Sequence, residues 1–345
     1  MSNTGNAPLR VAVAGYRHGH INAVIAEIQT RSDTVLVAAG DEEAAARAAM
    51  VTAGVTAEPF DDYARMLDTV PCDVVAVGDY YGRRGAVILE ALRRGKHVIS
   101  DKPLCTRLEE LEAIAALAHE QRLSVGCQLD MRFSGLFRAL RRVVRDGAIG
   151  TAQAVGFEGQ HPLLYGKRPG WYFEAGKHGG TLNDIAIHAC DYLPWITGLR
   201  FTTVNAARCW NAKLPAVPHF RDAAQAMLTM ENGCGVLGDV SYLAPDSFGY
   251  TLPQYHRTII WGDAGMAEVS MNAPDVTLYR NGETTPETIP PDPTPAGSPF
   301  DAFLREVRGD TTSVELTTPE VLRAARVALT IQHAADAGLT NVAIG

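Results

Sequence analysis

Asp184 and His188 are the pair best suited to chemistry. They stand four residues apart in Gly179-Gly180-Thr181-Leu182-Asn183-Asp184-Ile185-Ala186-Ile187-His188. The segment reads as a helix, with Leu182, Ala186 and Ala189 on one side. Side chains four apart on a helix lie one above the other, so both residues should point at one small volume. A carboxylate above an imidazole binds a hydroxyl and takes its proton. Gly179 and Gly180 let the backbone approach a ligand closely. The same residues have a plainer reading. Thr181 and Asp184 resemble a capping box, an acid in a first helical turn suits the helix dipole, and His188 is then an ordinary half-buried histidine.

A second set of candidates lies near the start. Val11-Ala12-Val13-Ala14 is an apolar run ending at Gly15, as expected of a strand buried on both faces. Ile21, Val24, Ile25 and Ile28 follow at helical spacing. Strand, glycine turn and helix open a dinucleotide-binding unit, and Asp41, after a second apolar run, sits where an acid binds the adenosine ribose. The glycine fingerprint is broken: Gly15, Arg17 and His20 occupy its three places, with Gly19 beside the last. Arg17 and His18 can serve phosphate at a helix N-terminus. His18 and His20 offer two imidazoles but no third ligand nearby, so no metal is expected.

The elements that must carry these residues follow from periodicity. Helical segments at 44–53, 60–67, 86–94 and 106–120 alternate with strands at 74–77, 97–100 and 123–129. Thr106 and Glu109 form a capping box for the last of these helices. This alternation specifies a doubly wound parallel sheet, whose ligands bind beyond the carboxyl ends of the strands. Gly15, Asp41, Asp79, Asp101 and Gln128 fall at such ends. From residue 130 the pattern changes to a basic helix and then longer strand-like runs, an antiparallel sheet with a hairpin at Asn232-Gly233. Pro286 to Pro299 reads as surface loop, and Thr318-Pro319 starts a final helix. The expected fold is α/β in two domains, 1–129 for dinucleotide and 130–345 for substrate and oligomerisation.

Composition narrows the class. The 345 residues, 46% hydrophobic and 20% charged, suit about two globular domains. A net charge of −8 argues against nucleic acid or an anionic membrane as partner. No apolar run reaches the ~20 residues of a membrane span. The start lacks a signal peptide's apolar core. Six scattered cysteines without Cys-x-x-Cys fit a reducing cytoplasm and give no zinc site.

The order of these motifs resembles the glucose-fructose oxidoreductase / inositol dehydrogenase (Gfo/Idh/MocA) family along nearly the whole chain. The likeness is carried by the glycine turn at Val11 to His20, by Gly95-Lys96-His97-Val98-Ile99-Ser100-Asp101-Lys102-Pro103-Leu104 against G-K-H-V-x-x-E-K-P-L, by Arg132-Phe133, and by Gly179-Gly180 with Asp184 and His188 against G-G-x-x-x-D-x-x-x-H. The resemblance implies a nucleotide domain, a second domain with an open antiparallel sheet, NAD or NADP, and a sugar, cyclitol or related polyol substrate. It implies that Lys102 touches the nicotinamide ribose and the reacting hydroxyl, that Asp184 holds a substrate hydroxyl, and that His188 is the general acid/base. Arg132 and Trp171 join the expected substrate contacts. Asp79, Tyr80, Tyr81 and Arg84 replace the family's T-P-N-x-x-H and join the expected cofactor contacts with Asp101 and Gln128. Asp79 would sit near phosphates, which is awkward unless Arg83 or Arg84 offsets it.

The expected activity is NAD-dependent oxidation of a polyol hydroxyl. The alternatives are a lyase or glycosidase using bound NAD transiently, and a non-catalytic ligand-sensing regulator. Asp41, with Glu42 and Glu43, favours NAD over NADP. Lys167, Arg168 and Lys177 near Trp171 hint at an anionic substrate group. Apolar positions on both faces of 223–230 and 235–242 point to a homodimer or homotetramer.

Overall fold

The computed structural model describes residues 7–310 and 314–345. The chain divides into two compact units, one running to Gln128 and including Pro299–Leu322, the other comprising Leu129–Ser298 and Arg323–Gly345.

The first unit holds β1 (Leu9–Ala14), α1 (Ile21–Thr30), β2 (Thr34–Gly40), α2 (Ala44–Thr52), β3 (Glu58–Phe60), α3 (Tyr63–Thr69), β4 (Val74–Val77), α4 (Tyr81–Arg93), β5 (His97–Ser100), α5 (Leu108–Gln121) and β6 (Val125–Cys127). The six strands form one parallel sheet in the order β3-β2-β1-β4-β5-β6. Continuous apolar runs make this possible: Val11 to Ala14 and Val74 to Val77 are fully buried, as strands covered on both faces must be.

Two local expectations differ. Phe60 ends a strand, and the short helix starts at Tyr63, where the Asp62 side chain accepts from Arg65 N. Thr106 does not cap α5; Arg107 takes the cap position without a side-chain bond, and its guanidinium pairs with Glu110.

The unit boundary at Gln128/Leu129 lies one residue from the expected division, but the first unit also takes α8 (Pro299–Val307), which the sequence reading left with the second domain. The reason is an apolar helix face: Phe300, Phe303 and Leu304 are buried with Val11, Val74 and Ile99. Gly126 makes room, because a Cβ there would stand 2.8 Å from the Phe303 ring. Burying each such phenylalanine contributes roughly 1.5–3 kcal/mol.

The second unit is built on α6 (Gly135–Arg145), β7 (Ala152–Pro162), α7 (Ile187–Thr197), β8 (Phe201–Trp210), β9 (Ala223–Met230), β10 (Gly235–Ala244), β11 (Thr258–Gly262), β12 (Gly265–Val269), β13 (Val276–Arg280), β14 (Glu287–Ile289) and β15 (Val342–Ala343). α9 (Thr318–Ala337) starts among residues of the first unit and ends in the second. Its cap is Thr317, whose backbone N–H and hydroxyl reach Glu320, rather than the expected Thr318.

The nine strands run in the order β14-β13-β12-β11-β7-β10-β9-β8-β15. The sheet is mainly antiparallel, as expected, with one parallel pair, β7 and β10, at its centre. Gly233 at φ 86° turns β9 into β10. β14 lies inside the stretch read as loop, where Thr277 pairs with Thr288 despite the flanking prolines. Among the described residues, no helix is long and apolar enough to cross a membrane.

Candidate active site

In the first unit, Gly15 has φ +93°, and a Cβ there would meet the Asp79 backbone N at 2.4 Å. Only glycine lets β1 turn this tightly against the end of β4. Gly19 has open space where a Cβ would stand, so no steric demand explains it. Asp41, fully buried at the end of β2, accepts from Tyr16 N at 2.8 Å, Glu43 N at 2.8 Å and Arg17 Nε at 2.7 Å. Arg17 also pairs with Glu43. The guanidinium expected at phosphate is thus committed to the carboxylates of the ribose corner.

His18 is likewise engaged by neighbours in the first unit. Its Nδ1 lies 2.5 Å from Asp101 Oδ2, and its Nε2 lies 3.2 Å from the Tyr81 hydroxyl. Burial pushes the imidazole down to about 4, outweighing the opposing pull of Asp101. Asp101 is fully buried; burial works against its charge, but His18 and Arg84 hold its carboxyl well below the usual range. Arg84, also fully buried, reaches Asp101 Oδ2 at 3.2 Å and donates to the carbonyls of Asp79 and Pro103.

His20 Nδ1 stands 3.2 Å from Asp101 Oδ1. The third ligand missing from the sequence reading is therefore Asp101, since candidate atoms of His18, His20 and Asp101 lie within 4.8 Å of one another. The buried Arg84 guanidinium already neutralises this carboxylate, so a metal cation would meet a fixed positive charge.

Arg83 attracts the Asp79 carboxylate through space, while toward Asp79 Arg84 donates only to the backbone carbonyl. Tyr63 Oη donates to the carboxylate at 2.8 Å and Tyr80 N at 2.7 Å, while Arg83 goes to Glu42. Burial pushes the Asp79 carboxyl up. Tyr80 caps α4, and Arg17 lies over its ring at 5.9 Å. Lys102 follows β5, is 3% exposed, and donates its backbone N–H to Asp101 Oδ1 at 2.7 Å. Gln128 follows β6 and donates N–H to Ser100 O; its buried Nε2 has no hydrogen-bond partner among the described residues.

These observations fit a dinucleotide. The Gly15 turn admits a close backbone approach, Asp41 marks the ribose corner, and Gln128 holds an amide donor in reserve. All three sit at carboxyl ends of parallel strands.

In the second unit, Leu182–Ala186 is a π-helical turn leading into α7. Such turns recur at functional sites. Gln332 of α9 braces it, its Oε1 accepting from Leu182 N at 3.0 Å and Asn183 N at 3.3 Å. Gly180, at φ +98°, is needed for this brace, since a Cβ would overlap Gln332. The close approach expected between this glycine and a ligand is thus made to the chain's own side chain. Thr181 donates to Arg221 O rather than capping toward Asp184.

Asp184 is 2% exposed and accepts from the Tyr242 hydroxyl; His178 Nε2 lies 3.6 Å away. His188, 6% exposed, has Nδ1 3.9 Å from Asp130 Oδ1 and its ring 5.2 Å from that of His256. His256 Nε2 in turn lies 3.4 Å from His161 Nε2. Asp130, in the 3-10 turn Asp130–Phe133 ahead of α6, thus stands near His188, and Asp184 also meets Tyr242 of β10.

Trp171 is buried and stacks on Tyr172 at 4.2 Å, and Tyr172 packs against His178. Arg132 is 3% exposed, ion-paired to Asp191 at 2.7 Å and set over Trp195. That placement ties the 3-10 turn Asp130–Phe133 to α7. Arg168 donates to the carbonyls of Pro162 and Leu163 and to the Tyr250 hydroxyl, and Lys177 pairs with Glu174. Two of the three basic residues read as a hint of anionic substrate, Arg168 and Lys177, thus have partners within the protein.

The sequence did not mark His161, His178, Tyr242 or His256 as site residues. His161 and His178 pack against Tyr242, and the His256 ring meets those of both His161 and His188. Their separation along the chain hides this, because β7, the loop before Gly179 and the approach to β11 each supply one.

The fold and this buried polar cluster define a nicotinamide-dependent oxidoreductase. Residues 9–128 match the model of the oxidoreductase family with NAD-binding Rossmann fold, and residues 137–268 match the GFO/IDH/MocA C-terminal domain. The chain belongs to the Gfo/Idh/MocA oxidoreductase family. It is 26% identical over 273 residues to D-glucoside 3-dehydrogenase of Escherichia coli, covering 76% of this chain and 71% of that protein. It is 28% identical over 249 residues to inositol 2-dehydrogenase 2 of Saccharopolyspora erythraea, covering 71% and 68%. The fold matches that of an inositol dehydrogenase homologue from Azotobacter vinelandii complexed with NAD+, with TM-score 0.80, 19% identity and 99% of each chain covered.

Proposed function

We propose that the protein oxidises a secondary hydroxyl of a neutral sugar, cyclitol or related polyol, with NAD as hydride acceptor. The observation that carries this reading is the buried histidine and tyrosine cluster around Asp184. It supplies hydroxyl-binding donors and acceptors, while the neighbouring cations Arg168 and Lys177 are already committed. Relatives named for a glucoside and for inositol support the same substrate class.

Asp184 accepts the hydrogen bond of a substrate hydroxyl and fixes the ring's orientation. His188 takes the proton of the reacting hydroxyl. The Lys102 ammonium stabilises the alkoxide as it develops. The Gly15 turn, Asp41 and Gln128 would hold NAD, which would supply the acceptor for a hydride from the same carbon. Asp130 beside Nδ1 of His188 favours the imidazolium that results.

The protein works as a homodimer or homotetramer in a reducing compartment. All six cysteines are free. In the second unit, Met227 (47% exposed) pairs with Leu237 (63%) on the sheet, and Trp261 (53%) is also exposed. Such a strip invites burial against a second copy.

The test is to incubate the protein with NAD+ and a panel of neutral sugars and cyclitols. Sustained accumulation of NADH with at least one of them is expected. Turnover of a glycoside without NADH accumulation would instead favour the transient use of NAD, and binding without any turnover would favour a sensor.

A further inference from the structure

We propose that His178 and Tyr242 are positioning residues that hold Asp184 as an ionised, acceptor-only carboxylate through a one-way hydrogen-bond chain; the consequence for catalysis rests on the function proposed above.

Each link of the chain has a direction. Gly180 N–H, a donor only, points to His178 Nδ1 at 3.3 Å. Nδ1 must therefore be the lone-pair nitrogen, which puts the ring proton on Nε2. Nε2 lies 2.8 Å from the Tyr242 oxygen and donates to it. With its lone pair so engaged, the phenol turns its own proton outward, and the atom it meets is Asp184 Oδ2. Burial and the Asp184 charge raise Tyr242 well above the ordinary phenol value, so the phenol keeps that proton and remains the donor.

The surroundings hold this polarity in place. His178 is 7% exposed, Tyr242 is fully buried and Asp184 is 2% exposed, so bulk water does not supply competing donors. Phe220 packs against both the His178 and Tyr242 rings, at 4.9 and 5.0 Å, and fixes their separation. The Arg168 guanidinium lies over the Tyr242 ring at 5.1 Å. The chain begins at a backbone amide beside the Gly180 position that Gln332 braces, so the loop carrying His178 and the π-helical turn carrying Asp184 are set by one local structure.

The chemical consequence is selective. A charge-assisted bond from Tyr242 fixes the orientation of the carboxylate. An acceptor-only carboxylate recognises a hydroxyl that donates to it and rejects an anion. His178 and Tyr242 are not asked to touch substrate; they act through Asp184.

Two measurements test this. Long-range 1H–15N NMR of the intact protein reads the tautomer of His178 directly. A proton on Nε2 with a bare Nδ1 is expected, and a ring protonated on Nδ1 would overturn the chain. Steady-state kinetics of Tyr242→Phe and His178→Gln then reads its effect. Tyr242→Phe should raise KM for the polyol roughly 10- to 100-fold, the usual worth of a bond to a charged group, with the smaller share of the loss in kcat and NAD affinity unchanged. His178→Gln, which retains an N–H donor, should recover most of the wild-type KM. Wild-type KM in Tyr242→Phe would overturn the proposal. If Tyr242→Phe does not fold, the tautomer and the His178→Gln kinetics still decide it. If the wild type oxidises no polyol at all, the functional reading fails while the NMR result still decides the chain.

Discussion

Arg17 Nε lies 2.7 Å from Oδ1 and 2.9 Å from Oδ2 of Asp41, so the carboxylate at the end of β2 is bridged by a guanidinium from the glycine turn. The broken fingerprint thus has a use: the side chain standing in place of the second glycine braces the ribose corner. On the function proposed above, Asp41 accepts from the ribose 2′-hydroxyl, and the carboxylates of Asp41, Glu42 and Glu43 outnumber the Arg17 and Arg83 guanidiniums paired with them. NAD should bind more tightly than NADP. Asp41→Asn should narrow that preference, and Arg17→Ala should weaken both cofactors without reversing it. Calorimetric titration of the two oxidised cofactors into each variant measures this, and tighter NADP binding by the wild type would show that Asp41 does not discriminate.

Stability should depend on pH through His18. Burial lowers its folded value to about 4, while the unfolded imidazole titrates near 6.5. Below about 6.5 the unfolded chain takes up a proton that the folded residue refuses until about 4, so stability falls as pH drops through that window. The loss approaches about 3 kcal/mol. Thermal melts from neutral to acid pH should show the slope, and His18→Asn should flatten it.

Arg132 and Asp191 should prove structural. Replacing Asp191 with Asn leaves a buried guanidinium without its charge partner and should cost about 3–5 kcal/mol. Replacing both by apolar residues of similar size should restore much of the loss. Denaturant melts read both effects, and KM for the polyol should be unchanged in the double variant.

Lys102→Met and His188→Asn should leave the melting temperature within a few degrees of wild type, since neither residue belongs to an apolar core. Each should lose turnover by roughly 10²–10⁴-fold, the usual worth of a positioned acid/base group. Stopped-flow and steady-state rates with NAD+ would check this.

Leu237→Glu should shift the protein toward monomer by setting like charges on an apolar strip beside Met227. Multi-angle light scattering at micromolar concentration reads the change. A wild-type protein that already runs at 37.1 kDa would remove the basis for an oligomer through this face.

The sequence made some of this legible and hid the rest for physical reasons. Buried parallel strands announce themselves as unbroken apolar runs, so β1, β4 and β5 were readable, and with them the positions of Gly15, Asp41 and Lys102. The turn at Asn232-Gly233 was readable because positive φ restricts residue choice. α8 was not read as a helix, and its stretch fell with the second domain, because a short apolar face does not say which sheet it will cover. The partner of Asp184 on β10 was not legible, since the segment is π-helical there and Tyr242 lies on a strand 58 residues on. Arg168 and Lys177 looked like ligands for an anion because a sequence shows charges but not the carboxylates and carbonyls that folding brings to them.

The central claim is that a hydride leaves a carbinol carbon for NAD on this protein. Its most direct test is a single turnover with a neutral polyol deuterated at its carbinol carbons, followed by mass spectrometry of the recovered cofactor. The account predicts one deuterium in the reduced nicotinamide for wild type and a greatly slowed transfer in His188→Asn. Recovery of unlabelled, still oxidised NAD after the polyol has been shown to bind would contradict it.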